Sequence, residues 1–144
     1  MSTAGNHDFR VHRSQLSRSV EESEGFSVYD AIVDQMDWQD PTPWLSLLRA
    51  LNDRQRAVVA VAQLHEYAQF NGIRASVNFL GPEVVSMAAE GAARLGNTKL
   101  EELIRQALAD DPDWDLLEDA WDQQAEFEIG PFINAHPQDF FRAE

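Results

Sequence analysis

A chain of 144 residues, 44% hydrophobic and 10% aromatic, is long and apolar enough to bury one core, which argues against a disordered chain. It has no cysteine, so disulfide frameworks, thiolate zinc sites and cysteine nucleophiles are excluded. Twenty-five acids against eleven bases give a net charge of −14, a balance that repels nucleic acid and anionic membranes and attracts basic surfaces.

The charge is unevenly distributed. Up to residue 20 the chain holds Arg10, Arg13 and Arg18 against Asp8, a net of +2, which leaves 8 bases and 24 acids beyond, a net of −16. Residues 1–18 are polar and without periodicity, and are expected to form a flexible basic arm before a single helical domain over 19–144. Residues 1–19 lack an apolar run of signal-peptide length, and no stretch approaches the roughly 20 apolar residues of a membrane helix. The expected location is the cytoplasm, with no membrane partner.

From about Gly25, Val28, Ile32, Val33 and Met36 recur at helix spacing until the turn-forming Asp40-Pro41-Thr42-Pro43. Pro43 suits the first position of a short helix that buries Trp44, Leu47, Leu48 and Leu51. Asn52 or Asp53 can cap the next helix, whose middle, Ala57 to Leu64, is apolar almost all round and so reads as the buried centre. Asn71-Gly72 should end it, with a less regular stretch from Ile73 to Leu80 before Gly81-Pro82.

The following helix offers Val84, Ala88, Ala92 and Leu95 to the core and stops at Gly96. Thr98 to Glu101 reads as a capping box for a helix burying Leu100, Leu103, Ile104, Ala107 and Leu108. Asp110-Asp111-Pro112 breaks that helix. Another is expected from about Asp113 to Glu128, where Gly130-Pro131 kinks or ends it, and Phe132, Ile133, Phe140 and Phe141 close the core. Strand-like alternation is nowhere sustained. The predicted fold class is all-α, an irregular bundle of about six to eight helices.

Two acidic stripes stand out. At about 100° per residue, Asp115, Glu118, Asp119, Asp122 and Glu126 share an arc of roughly 100°, opposite Leu116, Leu117, Ala120, Trp121 and Phe127. Asp30, Asp34 and Asp37 line one face of the first helix, opposite Ile32, Val33 and Met36. No base lies between Ser19 and Leu48 or between Gln106 and Phe141, so neither stripe has a local cation to pair with. Five charges over the roughly 16 Å of axis from Asp115 to Glu126 approach the spacing of one DNA strand, a phosphate about every 3.4 Å. These eight acids are the candidate partner-binding residues. The plainer account of each stripe is a solvated helix face.

Leu51-Asn52-Asp53-Arg54-Gln55-Arg56, Asn71-Gly72, Ala92-Ala93-Arg94-Leu95-Gly96-Asn97-Thr98-Lys99 and Phe132-Ile133-Asn134-Ala135-His136-Pro137-Gln138-Asp139-Phe140 occur in that order. With these pieces the span from about Leu51 to Phe141 resembles the C-terminal domain of the DNA mimic protein family, otherwise a bacterial domain of unknown function. The family carries a second glycine and an aromatic after Asn-Gly, where this chain has Ile73 and Arg74. The resemblance implies an all-helical, homodimeric protein whose acidic surface occupies the DNA site of a transcriptional repressor. The alternative is an immunity-type interaction module that neutralises another basic protein, such as a secreted nuclease.

Other chemistries find weaker footing. Asp111, Asp113 and Asp115 alternate like calcium-loop ligands, but Leu116 stands where the loop needs glycine and Asp122 where it needs a bidentate glutamate. His65-Glu66 opens like a zincin helix, yet Gln69 occupies the second histidine position. Ser46, Ser76 and Ser86 have no recognisable base, and no phosphate loop appears. The chain is therefore expected not to be an enzyme and to need no metal or cofactor. Trp38 and Trp114, each flanked by acids, read as core or half-buried residues that could also serve an interface rim.

Overall fold

A computed structural model describes residues 7–37, 39–40, 42–124 and 127–143. Among them the helices run in chain order as α1 (Val20–Ser23), α2 (Phe26–Val33), α3 (Pro43–Ala50), α4 (Asp53–Leu80), α5 (Pro82–Arg94), α6 (Thr98–Ala107), α7 (Trp114–Asp122) and α8 (Ile129–Ala135). Short 3-10 turns occupy Arg13–Gln15 and Pro137–Asp139. The chain is all-α, and its buried apolar residues form one continuous core. No helix among the described residues is long and apolar enough to cross a membrane.

The centre is α4. Asn52 caps it: the side-chain oxygen accepts from the Gln55 N–H at 2.8 Å, and the Gln55 side chain accepts from the Asn52 N–H at 3.1 Å. Two otherwise orphaned amide donors are thereby satisfied. Ala57 to Leu64 are buried all round, as expected of a helix wrapped by its neighbours. Helix α5 lies against it so closely that a Cβ on Gly91 would stand 2.7 Å from the Ala57 carbonyl oxygen. Arg56 reaches back from α4 to the end of α3, donating to the carbonyls of Leu48 (2.7 Å) and of the C-cap residue Leu51 (2.8 Å).

Several elements differ from their sequence-based expectation. Ile73–Leu80 is helical, and Gly72 (φ 81°, ψ 162°) is a bend inside α4. Only glycine adopts that backbone without strain. The cap of α6 is Asn97, whose side chain accepts from the Leu100 N–H at 3.0 Å, so Thr98 is already the first helical residue. Glu101 is thus free to pair with Arg105 at 3.0 Å. Helix α7 ends at Asp122, and Gly130-Pro131 sits in the first turn of α8, where proline's missing N–H costs nothing.

The amino-terminal segment is not a free arm from residue 7 onward. Val11 is fully buried and forms a parallel bridge with Phe141, its N–H donating to the Phe140 carbonyl at 2.8 Å and its carbonyl accepting from the Arg142 N–H at 2.9 Å. Arg13 stacks 3.9 Å over the Phe141 ring, and Arg10 pairs with Asp8 at 2.8 Å. One buried valine and a row of ring and ion contacts order what composition alone marks as polar chain.

Candidate functional site

The α7 stripe is divided by the way the helix is rotated. Leu117, Trp121 and half-buried Trp114 define its inward face, spanning about 60° at about 100° per residue. Glu118 lies only about 40° from Trp114 and Leu116 about 100° from Leu117. Leu116, expected inside, is consequently 61% exposed. Glu118, expected on the outer face, is half-buried and turned to the α4 bend, where its two oxygens accept from the N–H groups of Ile73 (3.1 Å) and Arg74 (3.0 Å). Its carboxylate caps the second arm of α4. Asp115, Asp119 and Asp122 are exposed, and Glu126 lies outside the described residues. Trp38 also lies outside them.

On α2 and just beyond it, Asp30, Asp34 and Asp37 are all exposed. These three and the three exposed α7 acids share one spacing, four residues and then three. Both rows end badly for their own helix. Asp34 is the C-cap of α2 and Asp122 the last residue of α7, with no base in either last turn. A carboxylate there faces the negative end of the helix dipole.

None of these six acids takes part in an ion pair among the described residues, whose bridges use Asp8, Asp53, Glu83, Glu101 and Asp139 instead. Arg18 acts on Asp30 only at longer range, favouring its charged form. Arg74 brings a guanidinium to 5.7 Å from the Trp114 ring centroid and pairs with none of the row. Asp37 accepts from the Gln39 N–H at 3.0 Å and Asp119 from the Gln123 side chain at 3.2 Å, bonds that leave the charges uncancelled.

The bend in α4 relates the two rows. Asn71 lines a groove that Asp30 and Asp34 also line, and its neighbour Gly72 faces the Glu118 carboxylate, both oxygens 3.0 Å from where a Cβ would be. The acidic helices therefore flank one short segment of α4.

That groove, a cavity of about 440 Å³, contains residues that no local pattern marks. Glu66 joins Asp30 and Asp34 in it, and Trp44, Tyr67 and Phe70 supply aromatic rings. Burial first, and the Asp30 charge second, raise the pKa of Glu66. Burial followed by the Asp34 charge does the same to Asp30. Below them Tyr29 donates its hydroxyl to the Gln63 carbonyl oxygen, and burial holds the phenol strongly in its neutral form. Phe70 is 79% exposed at the lip, and Phe79, 60% exposed, stacks on Tyr67 with centroids 4.8 Å apart. Exposed rings grouped beside unpaired charge are the makings of a protein contact surface.

No protein family, curated protein or solved structure matches the chain.

Proposed function

We propose that the protein is an acidic protein-binding regulator that occupies the DNA site of a basic DNA-binding protein, such as a transcriptional repressor, and acts by contact and not by catalysis. The observation that carries this is the state of Asp30, Asp34, Asp37, Asp115, Asp119 and Asp122: exposed, without an ion-pair partner among the described residues, and held on or beside two helices that flank the α4 bend. Like-charge repulsion within the rows, and the helix C-termini that Asp34 and Asp122 face, cost folding stability that a basic partner would return.

DNA-binding proteins are the favoured partner class because Asp115, Asp119 and Asp122 form a linear row held by one helix. Asp115 to Asp122 is about 10 Å of helix axis, so three charges sit about 5 Å apart, against about 3.4 Å between phosphates of one strand. A groove-reading protein positions itself on phosphates carried by two strands, and acids on two helices offer it more than one anchor. The resemblance of Leu51 to Phe141 to the DNA mimic family supports the same class. Association would be fast and strongly weakened by salt.

The test has two steps. Partners are captured at low salt and identified, and each captured DNA-binding protein is then bound to its duplex and challenged with this protein in a mobility-shift assay. Displacement of the duplex is expected, and it should disappear when all six acids are changed to asparagine. Capture that the six changes leave intact, or partners that release no DNA, overturns the proposal.

A further inference from the structure

The groove between α2 and the middle of α4 has a more selective chemistry than the acidic rows beside it. Asp30, Asp34 and Glu66 place three carboxylates around a cavity whose other walls include the rings of Trp44, Tyr67 and Phe70. Anions and aromatic faces together suit one kind of guest, an organic cation with a flat or polarisable head. A hydrated metal ion has no use for the rings, and an anion would be expelled.

A second observation is independent of the acids. Gln63 is 99% buried, lines this cavity, and makes one hydrogen bond among the described residues, to the Tyr29 hydroxyl. The other half of its amide has no hydrogen-bond partner among the described residues and borders the cavity. Because a phenol both donates and accepts, the amide can turn to present either its oxygen or its NH₂ to a guest while keeping Tyr29.

We propose that this cavity receives an arginine side chain from the basic partner, with the guanidinium between the aromatic rings and the carboxylates of Asp30, Asp34 and Glu66. The assignment rests on the docking function proposed above and adds the single anchor that it lacks. Arginine is favoured over lysine because a planar guanidinium stacks on rings and spreads five donors over several carboxylates, whereas an ammonium is a compact, strongly hydrated point charge. Entry also relieves the mutual repulsion of Asp30, Asp34 and Glu66, which partial burial intensifies.

The experiment titrates the isotopically labelled full chain with N-acetyl-arginine amide, following backbone, Trp44 indole and Gln63 side-chain resonances. The neutral isostere N-acetyl-citrulline amide, N-acetyl-lysine amide and agmatine are titrated in parallel. Saturable shifts confined to the cavity are expected with the arginine amide, at least tenfold weaker binding with the citrulline and lysine amides, and loss of the shifts in Glu66→Gln and in Asp34→Asn. The exposed site of Asp34 makes it a variant whose folding the change should spare, and Glu90→Gln, on α5, serves as the neutral control. Equal binding of citrulline, shifts spread evenly over α7, or unchanged binding in both cavity variants would overturn the proposal. Agmatine bound tenfold more tightly than the arginine amide would identify a free alkylguanidine as the ligand and overturn the partner assignment.

The two proposals fail differently. If captured partners are lost from the six-acid variant but held undiminished by Glu66→Gln, the arginine anchor is wrong and the docking function survives. If the six changes leave capture untouched, the docking function is wrong whatever the cavity binds.

Discussion

Glu118 and Gly72 are fitted to each other: both carboxylate oxygens lie 3.0 Å from where a Cβ on Gly72 would stand. From there they accept the first two N–H groups after the bend, those of Ile73 and Arg74. A helix restarting after a break has orphan amide donors, and a carboxylate suits both their geometry and the positive end of the dipole. Gly72→Ala meets a positive φ and a side chain in its way, so a loss of more than about 1 kcal/mol is expected. Glu118→Gln keeps the shape and one acceptor oxygen and should cost about 1–3 kcal/mol. Urea unfolding of both variants checks the pairing, and a neutral outcome for Gly72→Ala would show that the bend is not held this way.

His65 offers a pH-dependent prediction. Its ring packs between Phe127, with centroids 4.4 Å apart, and Phe26, at 5.4 Å, and its Nδ1 is buried without a partner. Burial lowers its pKa below the ordinary 6.5, with the Glu24 charge opposing. Above 6.5 the ring is neutral folded and unfolded, and no stability hangs on it. As pH falls through 6.5 the unfolded chain takes up a proton that the folded ring resists, so stability declines. Asp30 and Glu66, with raised pKa values, work in the opposite direction on acidification. The clean measurement is therefore a difference: the stability of His65→Phe relative to the parent should rise as pH drops from 7 to 5. A flat difference would place the ring in water.

At the packed amino-terminal segment, the Arg10 side chain is the main cause that lowers the Asp8 carboxyl from 3.8 to about 2, with Arg142 adding to it. The paired carboxylate stabilises the fold above the ordinary value, and that contribution disappears as pH falls from about 4 toward 2. Asp8 keeps 41% of its side chain exposed, so solvent screening makes the effect small and salt-sensitive. Asp8→Asn should lower stability at pH 6 and converge with the parent near pH 2.

Val11 carries more of the energy in that segment. It is fully buried with both backbone groups bridged to the residues around Phe141. Val11→Ala should cost about 1–3 kcal/mol, from lost apolar burial and the cavity left behind. Amide exchange at Arg142, whose N–H donates to the Val11 carbonyl, should quicken in the variant. Unchanged stability would return the segment to the status of a free arm.

What could be read in advance was whatever the chain writes locally. The octet Ala57 to Leu64 announces a buried helix by being apolar on nearly every side, Gln63 alone excepted, and Pro43 and Asn52 mark helix starts through their own backbone chemistry. Val11 gave no such notice, since a lone apolar residue in a polar stretch has no period. Glu118 eludes the pattern because Leu116, Leu117, Ala120, Trp121 and Phe127 share a broad apolar arc, and the structure buries only its Leu117–Trp121 edge together with Trp114, which turns the inward face toward the glutamate. The groove was illegible for another reason. Asp30, Trp44, Gln63 and Glu66 meet only because α2 and α3 fold back onto α4, and Glu66 alone is merely an acid beside a histidine. Contacts between distant segments have no signature within either one.

The two acidic rows also make a prediction about stability that runs against the usual effect of mutation. Asp115, Asp119 and Asp122 on α7 and Asp30 with Asp34 at the end of α2 stand four or three residues apart, the spacing at which like charges on a helix repel by a few tenths of a kcal/mol per pair, while Asp37 lies beyond α2. Asp34 and Asp122 add an unfavourable interaction with the helix C-terminus of about 0.3–1 kcal/mol each. No ion pair among the described residues offsets either term. Asp115, in the first turn of α7, returns part of this cost through the positive end of the dipole. Changing Asp30, Asp34, Asp37, Asp115, Asp119 and Asp122 to asparagine should on balance still stabilise the fold, by roughly 0.5–2 kcal/mol in low salt. The gain should shrink as salt is added, because screening already relieves the parent. Thermal melts of the two proteins across a salt series would read it. Acids that cost stability where they stand need some other reason to be there, and binding to a basic partner is one. If the neutralised protein instead melts earlier, the carboxylates hold the fold together, and the case for a surface kept charged for a partner loses its foundation.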